Sequence, residues 1–233
     1  MNQSLSRILL YVIIAFGISV CSEKPKVKNY QYGLPMKQMD FDTDKNNKKE
    51  TMSYYIDDPG NFRTVYGEMD MDNDGASEIM FWTGLQTASP PGQAEKAFTK
   101  VHEEEDTNKN GKVDILRWML PNQFIALAQV DSNEDGYFET TQYFNFKKNV
   151  VRTEIDSNFD GKSDIYFWKN RGEADTDFDG IPDAFIVLTS ELELKEKIKL
   201  KKDLKPLKKE DSWFYNQSLI PQDERAIIGS GYF

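Results

Sequence analysis

The sequence predicts an all-β fold, an antiparallel meander of repeated hairpins, and three observations support this prediction. An acidic loop of nine residues recurs six times along the chain of 233 residues. Short runs of aromatic and β-branched residues follow the loops, such as Ile79 to Trp82 and Ile165 to Trp168, and they are too short for ordinary helices. Turn-forming residues such as Lys147 to Asn149 separate the units. The repeating unit is therefore strand, loop, strand and turn, and a curled sheet and a small propeller-like array both satisfy it.

Each acidic loop has oxygen-bearing side chains at its positions one, three, five and nine. Loops 1 to 6 are residues 42–50, 70–78, 106–114, 131–139, 156–164 and 175–183. Position six is glycine in five loops and Asn47 in loop 1, as expected where the backbone must enter the left-handed region. The candidate ligands, in the order of the loops, are Asp42, Asp44, Asn46, Glu50, Asp70, Asp72, Asp74, Glu78, Asp106, Asn108, Asn110, Asp114, Asp131, Asn133, Asp135, Glu139, Asp156, Asn158, Asp160, Asp164, Asp175, Asp177, Asp179 and Asp183.

The loop pattern predicts calcium binding. A hard cation of calcium's size takes roughly six to eight oxygen ligands at about 2.3 to 2.6 Å, and alternate side chains of a tightly wrapped loop can supply them. Polar turns also use Asp, Asn and Gly, but a turn alone does not require the acid that ends all six loops. We therefore expect Ca2+ as the cofactor.

The number of carboxylates differs between the loops and predicts an order of filling. Positions one, three, five and nine hold four carboxylates in loops 2 and 6, three in loops 1, 4 and 5, and two in loop 3. Because calcium affinity follows the charge of the ligands, we expect loops 2 and 6 to fill first. Loop 3, with Asn108 and Asn110, is expected to fill last.

The residues after each loop distinguish it from an EF-hand. An EF-hand loop ends with a bidentate Glu at position twelve and continues into a helix. Position twelve here is Ser53, Phe81, Arg117, Gln142, Phe167 or Ile186. Position thirteen is mostly aromatic and lies on the same face of an extended chain as position eleven. These aromatic residues form either a core or, on a sheet without a second layer, an exposed surface for a partner.

The amino-terminal residues predict export and a lipid anchor. One positive charge precedes an uncharged apolar stretch from Ile8 to Val20, which is shorter than the roughly 20 residues of a membrane span. The end of this stretch, Ile18-Ser19-Val20-Cys21, resembles the relaxed lipobox of spirochaete-type bacterial lipoproteins. The resemblance implies that residues 1–21 are a signal peptide and that lipidated Cys21 attaches the chain to a membrane. It implies an outer membrane lipoprotein of the cell envelope, exposed at the periplasmic face or at the cell surface.

The remainder of the chain divides by composition into three segments. Residues 22–40 are polar and basic, as in a tether, and residues 41–189 form the repeat domain with its six loops. Residues 190–233 contain eight lysines between Lys195 and Lys209, followed by an apolar end that caps the array or covers its aromatic face. Apolar residues alternate with charged ones from Leu192 to Leu200, which predicts one more hairpin or an amphipathic helix.

Charge and cysteine content indicate that the metal stabilises the domain. Cys21 is the sole cysteine, so no disulfide braces the exported domain. The formal charge is −10, and 19 carboxylates occupy the four loop positions named above, so metal-free loops repel themselves. Six divalent ions add +12 and bring the charge from −10 to +2. Each site that is occupied only in the folded state adds about 2.7 kcal/mol at a hundredfold excess over Kd.

Catalytic patterns are sparse, and we expect no enzyme. His102 is the sole histidine, too few ligands are present for a zinc site, and no Gly-x-Ser-x-Gly elbow occurs. Net acidity and predicted export argue against nucleic acid as a partner. Two alternatives stay open. One is an envelope hydrolase, directed at carbohydrate or peptide, that uses calcium structurally, and the other is a calcium sensor.

Two family resemblances complete this interpretation. Residues 40–188 resemble bacterial lipoproteins built from Asp-x-Asp-x-Asp-Gly repeats, and loop 6, from Asp175 to Asp183, is similar to thrombospondin type 3 and EF-hand-like calcium motifs. The resemblance implies a calcium-stabilised domain displayed in the cell envelope. We therefore expect a lipid-anchored, calcium-binding β-repeat protein that acts as a structural or adhesive module, with an extracellular protein or polysaccharide as its partner.

Overall fold

The computed structural model describes residues 36–56, 63–85, 98–120 and 123–229. The predicted signal peptide, Cys21 and most of the predicted tether lie outside the described residues. No helix in the described ranges is long and apolar enough to cross a membrane.

Thirteen strands form one sheet and lie in it in chain order. Each strand pairs antiparallel with the strand before and after it, which confirms the predicted all-β meander. The first and last strands are the two edges, so the sheet is open rather than a closed propeller. The strands are β1 (Met36–Phe41), β2 (Thr51–Ile56), β3 (Arg63–Met69), β4 (Ile79–Leu85), β5 (Phe98–Glu105), β6 (Ile115–Leu120), β7 (Phe124–Val130), β8 (Thr140–Phe144), β9 (Val150–Ile155), β10 (Ile165–Phe167), β11 (Arg171–Ala174), β12 (Ala184–Val187) and β13 (Lys205–Pro206).

Strand β1 differs from the sequence-based expectation, because it includes residues 36–40, which we expected to end the tether. Three of its six residues are polar and none is fully buried, as suits a strand at a sheet edge. Pairing with β2 from Met36 to Phe41 satisfies one side of its backbone, and this pairing defines the strand.

All six acidic loops lie at the same end of the sheet. They join β1 to β2, β3 to β4, β5 to β6, β7 to β8, β9 to β10 and β11 to β12, and every second connection of an up-and-down meander returns to one end. In the first four units the strand register shifts directly after position thirteen of the loop, as at Tyr54 and Trp82. Such bulges increase the local twist of a sheet.

Helix α1 (Glu191–Lys199) covers one face of the last strands. Ser190 caps this helix, because its hydroxyl accepts a hydrogen bond from the Glu193 N–H at 3.3 Å. Leu194 and Ile198 are fully buried and form the main hydrophobic core with Ile155, Ile165, Phe167, Ala174 and Ile186. The helix alternative for this segment is thus confirmed, and the hairpin alternative is wrong because only this helical face buries both residues.

The segment after β13 covers the opposite face of β10. Trp213, Phe214 and Ile220 pack against Tyr166 and Trp168, whose side chains point away from the helix because successive strand residues alternate. Short 3-10 helices at Lys209–Asp211, Gln217–Leu219 and Gln222–Glu224 shape this segment. Of the two alternatives for this segment, it covers an aromatic face, at the carboxyl-terminal end of the sheet.

A buried carboxylate fastens this segment to the sheet. Glu173, on β11, is fully buried and accepts hydrogen bonds from the Ser212 hydroxyl and the Trp213 N–H, both at 2.7 Å. Arg171 Nε donates to the same carboxylate at 2.7 Å. A buried charge is stable only when it is paired and hydrogen-bonded in this way.

The described part of β1 to β6 contributes no residue to either hydrophobic core cluster. One face of these strands instead carries an aromatic ladder, which we define as Tyr54, Tyr66, Trp82, His102 and Trp118. Successive ring centroids are 5.9, 5.0, 5.1 and 4.9 Å apart, because the five residues are direct cross-strand partners. All five side chains are partly exposed. Cross-strand contacts such as these stabilise the described part of this half of the sheet.

Candidate metal centre

The six loops share one backbone conformation. Position six has a positive φ in every loop, from 69° at Asn47 to 96° at Gly75, as the sequence predicts. Position four also has a positive φ, between 61° and 66°, although no glycine stands there. The position-four residues are Lys45, Asn73, Lys109, Glu134, Phe159 and Phe178. Sequence reasoning missed this second left-handed position, since residues as different as Lys, Asn, Glu and Phe occupy it.

Side chains of positions one, three and five hold each loop closed. In loop 2, Asp70 accepts a hydrogen bond from the Gly75 N–H at 2.9 Å, and Asp74 accepts one from the Ala76 N–H at 2.8 Å. Position-one carboxylates accept from the position-six N–H in all six loops, at distances from 2.6 to 2.9 Å. The Asp, Asn and Gly pattern therefore folds the loop by local hydrogen bonds, which gather the alternate side chains on its inner side.

The acid at position nine has a structural role that we did not expect. Asp114 accepts hydrogen bonds from the Thr107 N–H at 3.0 Å and from its hydroxyl, and Asp164 does the same with Ser157. Position two is Ser or Thr in five of the six loops, which is the signal that sequence reasoning overlooked. A loop without metal thus has a use for this acid, so the acid alone does not distinguish a metal site from a turn.

Carboxylates converge most closely in three of the six loops. Within the described part of the chain, ligand oxygens approach within 4.8 Å of one another in three groups. The groups are Asp42, Asp44 and Glu50 in loop 1; Asp70, Asp72, Asp74 and Glu78 in loop 2; and Asp175, Asp177 and Asp179 in loop 6. Asp183 of loop 6 lies outside its group, where it accepts hydrogen bonds from Thr176. Loops 3, 4 and 5, in which Asn replaces one or two of these acids, are not among the three groups.

Two buried carboxylate oxygens in these groups have no hydrogen-bond partner. Asp175 is 2% exposed and Glu50 is 6% exposed, and neither Asp175 Oδ1 nor Glu50 Oε1 accepts a hydrogen bond from any described residue. A buried oxygen of an ionised carboxylate is costly to leave without a donor or cation. Both oxygens belong to groups in which further carboxylates converge, so a cation fits these positions.

Electrostatic effects differ between loops 1 and 6. A hydrogen bond from the Thr43 N–H lowers the pKa of Glu50, so this group stays ionised. Desolvation in loop 6, together with the charges of Asp179 and Asp183, raises the pKa of Asp177. Carboxylates that repel one another in this way are relieved by a hard divalent cation, for which oxygen donors are the preferred ligands.

Hydrogen bonds between backbones arrange the loops in a row. The N–H at position one of each loop after the first donates to the carbonyl at position nine of the preceding loop, as Asp70 does to Glu50 at 2.7 Å and Asp175 to Asp164 at 2.8 Å. Two strands separate neighbouring loops, which corresponds to roughly 10 Å between equivalent positions. The candidate ligands therefore form a line of acidic sites along one end of the sheet.

A cavity of about 460 Å³ lies where the aromatic ladder meets the covered half of the sheet. Trp118, Tyr143, Tyr166 and Phe214 provide aromatic walls, and Glu154 provides a buried carboxylate. Burial raises the pKa of Glu154, although Arg152 and the Tyr143 hydroxyl act in the opposite direction. Cavities of this size and composition are typical of small-molecule sites.

The single histidine belongs to the ladder. His102 Nδ1 lies 2.9 Å from the carbonyl oxygen of Arg117, and its Nε2 lies 3.3 Å from Glu104 Oε1. Its ring packs at a tilt between those of Trp82 and Trp118. These contacts give His102 a structural environment.

Comparisons with known proteins do not assign a family. No protein-family model matches the chain, and no curated protein matches it. Among solved structures, the chain is similar to a crystal structure of accessory secretory protein 1, 2 and 3 in Streptococcus pneumoniae, with 13% identity and a TM-score of 0.31. The match covers 59% of this chain and 20% of that chain, so this chain spans about a fifth of the matched structure. This similarity identifies neither a fold family nor a function.

Proposed function

We propose that this protein is a calcium-binding β-repeat module of the cell envelope, in which cations along one end of the sheet stabilise the strands. The observation that carries this proposal is the pair of buried, unpartnered oxygens, Asp175 Oδ1 and Glu50 Oε1, each within a group of converging carboxylates. Loop geometry alone would satisfy a polar turn, but these two buried oxygens accept no hydrogen bond from the described residues, and a cation would pair with them. Calcium suits them because it accepts many oxygen ligands in flexible geometry.

The chain's own residues would hold the ion with side chains at positions one, three, five and nine. When bound, the ion supplies positive charge that relieves the repulsion among these carboxylates. Because each loop joins two neighbouring strands and is bonded to the next loop, an ion in a loop restrains four strand ends at once. The stabilisation is about 2.7 kcal/mol for each site at a hundredfold excess over Kd.

Calorimetric titration of the purified full chain with calcium chloride, together with melting curves in calcium and in chelator, tests this proposal. We expect binding at millimolar calcium or below and a higher Tm in calcium. Replacing Asp70, Asp72 and Asp74 together by Ala should remove one strong site from the stoichiometry. A control with the same change of charge replaces Glu191, Glu193 and Glu196 of α1 by Ala, since these exposed acids lie outside the loops. A wild-type protein with no binding heat and an unchanged Tm would contradict the proposal.

We further propose that the chain is an outer membrane lipoprotein anchored through Cys21. The apolar stretch that ends at Cys21 supports this, and the polar residues after it suit a tether. Incorporation of a labelled fatty acid into the wild type and its loss in Cys21→Ser tests the anchor. A Cys21→Ser protein that keeps both the label and its place in the membrane fraction would refute it.

A second proposed role is adhesion through the aromatic ladder. Five partly exposed rings in a row, with a cavity of about 460 Å³ at their end, form a surface of the kind that binds an extracellular polysaccharide or protein. Tryptophan fluorescence during titration with soluble oligosaccharides tests the polysaccharide as partner. Trp82→Leu should weaken a response that depends on this face, while a substitution of Leu192 on the exposed side of α1 should not.

A further inference from the structure

Side chains at position four turn toward the preceding loop. Lys109 of loop 3 places its Nζ 3.3 Å from Asp72 Oδ2 of loop 2. Glu134 of loop 4 accepts hydrogen bonds from Asn108 Nδ2 at 2.9 Å and from Asn110 Nδ2 at 2.7 Å, both in loop 3. These contacts follow one direction along the row, because the left-handed backbone at position four points each side chain the same way.

Loops 5 and 6 repeat this direction with aromatic side chains. Phe159 of loop 5 packs edge-on against Tyr137 of loop 4, with ring centroids 5.5 Å apart. Phe178 of loop 6 lines a small cleft together with residues of loop 5 such as Asn158 and Asp160. Position four is therefore a bridge between loops, with a charged bridge in loops 3 and 4 and an apolar one in loops 5 and 6.

We infer that a charged side chain at position four alters the cation affinity of the loop before it, so that Glu134 strengthens loop 3 and Lys109 weakens loop 2. This inference rests on the proposed function. Independent support for cations in this row of loops comes from its two ends, where the buried Glu50 Oε1 of loop 1 and Asp175 Oδ1 of loop 6 accept no hydrogen bond within the described part of the chain.

Glu134 compensates for the two missing carboxylates of loop 3. Because its carboxylate holds the Nδ2 groups of Asn108 and Asn110, the two Oδ1 atoms are fixed on the inner side of the loop, where they accept hydrogen bonds from the Asn110 and Lys112 N–H groups. Residues that do not touch the metal but orient its ligands in this way contribute to metal affinity. The negative charge of Glu134 would also attract the cation directly.

Lys109 acts in the opposite sense on loop 2. Its ammonium group pairs with one of the four carboxylates that would surround the ion, so a cation must compete with it. Both side chains are substantially exposed, so the opposition is modest. Loop 2 is thus weaker, and loop 3 stronger, than their own carboxylates predict, and the two loops fill at more similar calcium concentrations.

Amide resonances at position six provide a separate readout for each loop in the full chain. The Gly75 N–H donates to Asp70 Oδ2 and the Gly111 N–H to Asp106 Oδ2, so their chemical shifts follow cation binding in loops 2 and 3. In a titration with calcium chloride, Glu134→Gln should raise the midpoint at Gly111 about tenfold. Lys109→Gln should lower the midpoint at Gly75 up to about fivefold, with a smaller change at Gly111.

Lys45→Gln is the matched control. Lys45 is a lysine at position four of loop 1 with the same positive φ, but no described loop precedes it. This variant should leave the midpoints at Gly75 and Gly111 within about twofold of the wild type. If the wild type binds calcium and neither Glu134→Gln nor Lys109→Gln moves its reporter beyond this control, the inference is overturned while the proposed function stands. If no position-six amide of the wild type responds at millimolar calcium, the proposed function itself fails.

Discussion

The two halves of the sheet use the same repeat but are stabilised by different interactions. Strands β9 to β12 have α1 on one face and the segment around Trp213 on the other, and both core clusters lie there. Strands β1 to β6 carry the same loops but contribute no residue to those clusters. The repeat therefore encodes strand pairing and loop shape, whereas the hydrophobic core depends on segments outside the repeat.

Equivalent residues show this difference directly. Trp82 and Trp168 both stand at position thirteen of their units, yet Trp82 is partly exposed in the ladder and Trp168 is 2% exposed beneath Trp213. Because the described residues of β1 to β6 belong to neither core cluster, these strands need another source of stability. Cations in the loops are the source we propose for the amino-terminal half.

Calcium should produce the largest effect and should separate the two halves. Each filled site contributes about 2.7 kcal/mol at a hundredfold excess over Kd, so loops 1 and 2 together contribute about 5 kcal/mol. We expect amides of β1 to β6 to exchange hydrogen rapidly in chelator and up to about 100-fold more slowly for each filled site. Amides of β9 to β12 should be protected in both conditions. Hydrogen exchange of the full chain, with and without calcium, measures this.

Two further hydrogen-exchange results would test whether calcium stabilises the amino-terminal half. The variant with Asp70, Asp72 and Asp74 replaced by Ala should lose the calcium-dependent protection in β3 and β4 first. Equal protection of both halves in chelator would mean that the ladder and the strand pairing suffice for the amino-terminal half.

The carboxyl-terminal core should depend on α1 to a smaller but still large extent. Leu194→Ala removes a fully buried side chain and should lower the free energy of unfolding by about 3 kcal/mol. Leu192→Ala, two residues away on the same helix, is the control because Leu192 is 80% exposed, and it should cost less than about 0.5 kcal/mol. Urea denaturation of both variants in chelator measures the difference, and equal values would show that the helix is not part of the folded core.

The strand meander could be predicted from the sequence because its signals are local. Aromatic and β-branched runs after each loop, and turn residues between units, identify strands without knowledge of distant contacts. The covering of the sheet could not be predicted in the same way. Helix α1 and the segment held by Glu173 become distinguishable from a further hairpin only when their contacts with β9 to β12 are known.

The candidate site was predictable at the level of residues but not of contacts. Positions one, three, five and nine all lie in the loops where the pattern places them, and three loops bring their carboxylates together. The contacts of Glu134 and Lys109 with the preceding loops could not be predicted, because they join residues that are 24 to 37 positions apart in the chain. Such contacts depend on how the meander stacks its loops.

Paired substitutions at position thirteen test whether covering, rather than residue type, determines stability. Trp168→Leu should cost about 3 kcal/mol because its indole is buried between strand and covering segment. Trp82→Leu should cost about 1 kcal/mol, the scale of its ring contacts with Tyr66 and His102. Denaturation in chelator compares them. Equal losses would show that the ladder is packed as tightly as the covered half.

The smallest effect concerns Glu154, at the boundary between the two halves. Burial raises its pKa, and this outweighs the charge of Arg152, whose Nε lies 2.9 Å from Glu154 Oε1, and the Tyr143 hydroxyl. An acid whose pKa is raised on folding binds its proton more tightly in the folded state. Its contribution to stability is therefore fully present below the unfolded pKa and is lost as the pH rises through the folded pKa.

Glu154→Gln should remove this pH dependence, because Gln resembles the protonated acid at every pH. The difference in unfolding free energy between the variant and the wild type should be constant in acid and then increase in favour of the variant toward neutral pH. Urea denaturation at a series of pH values in chelator measures it, since the titrations of the loop carboxylates cancel in the difference. A difference in unfolding free energy that instead favours the wild type toward neutral pH would mean that the ion pair with Arg152 outweighs burial. Charge, rather than packing, would then stabilise the boundary between the halves.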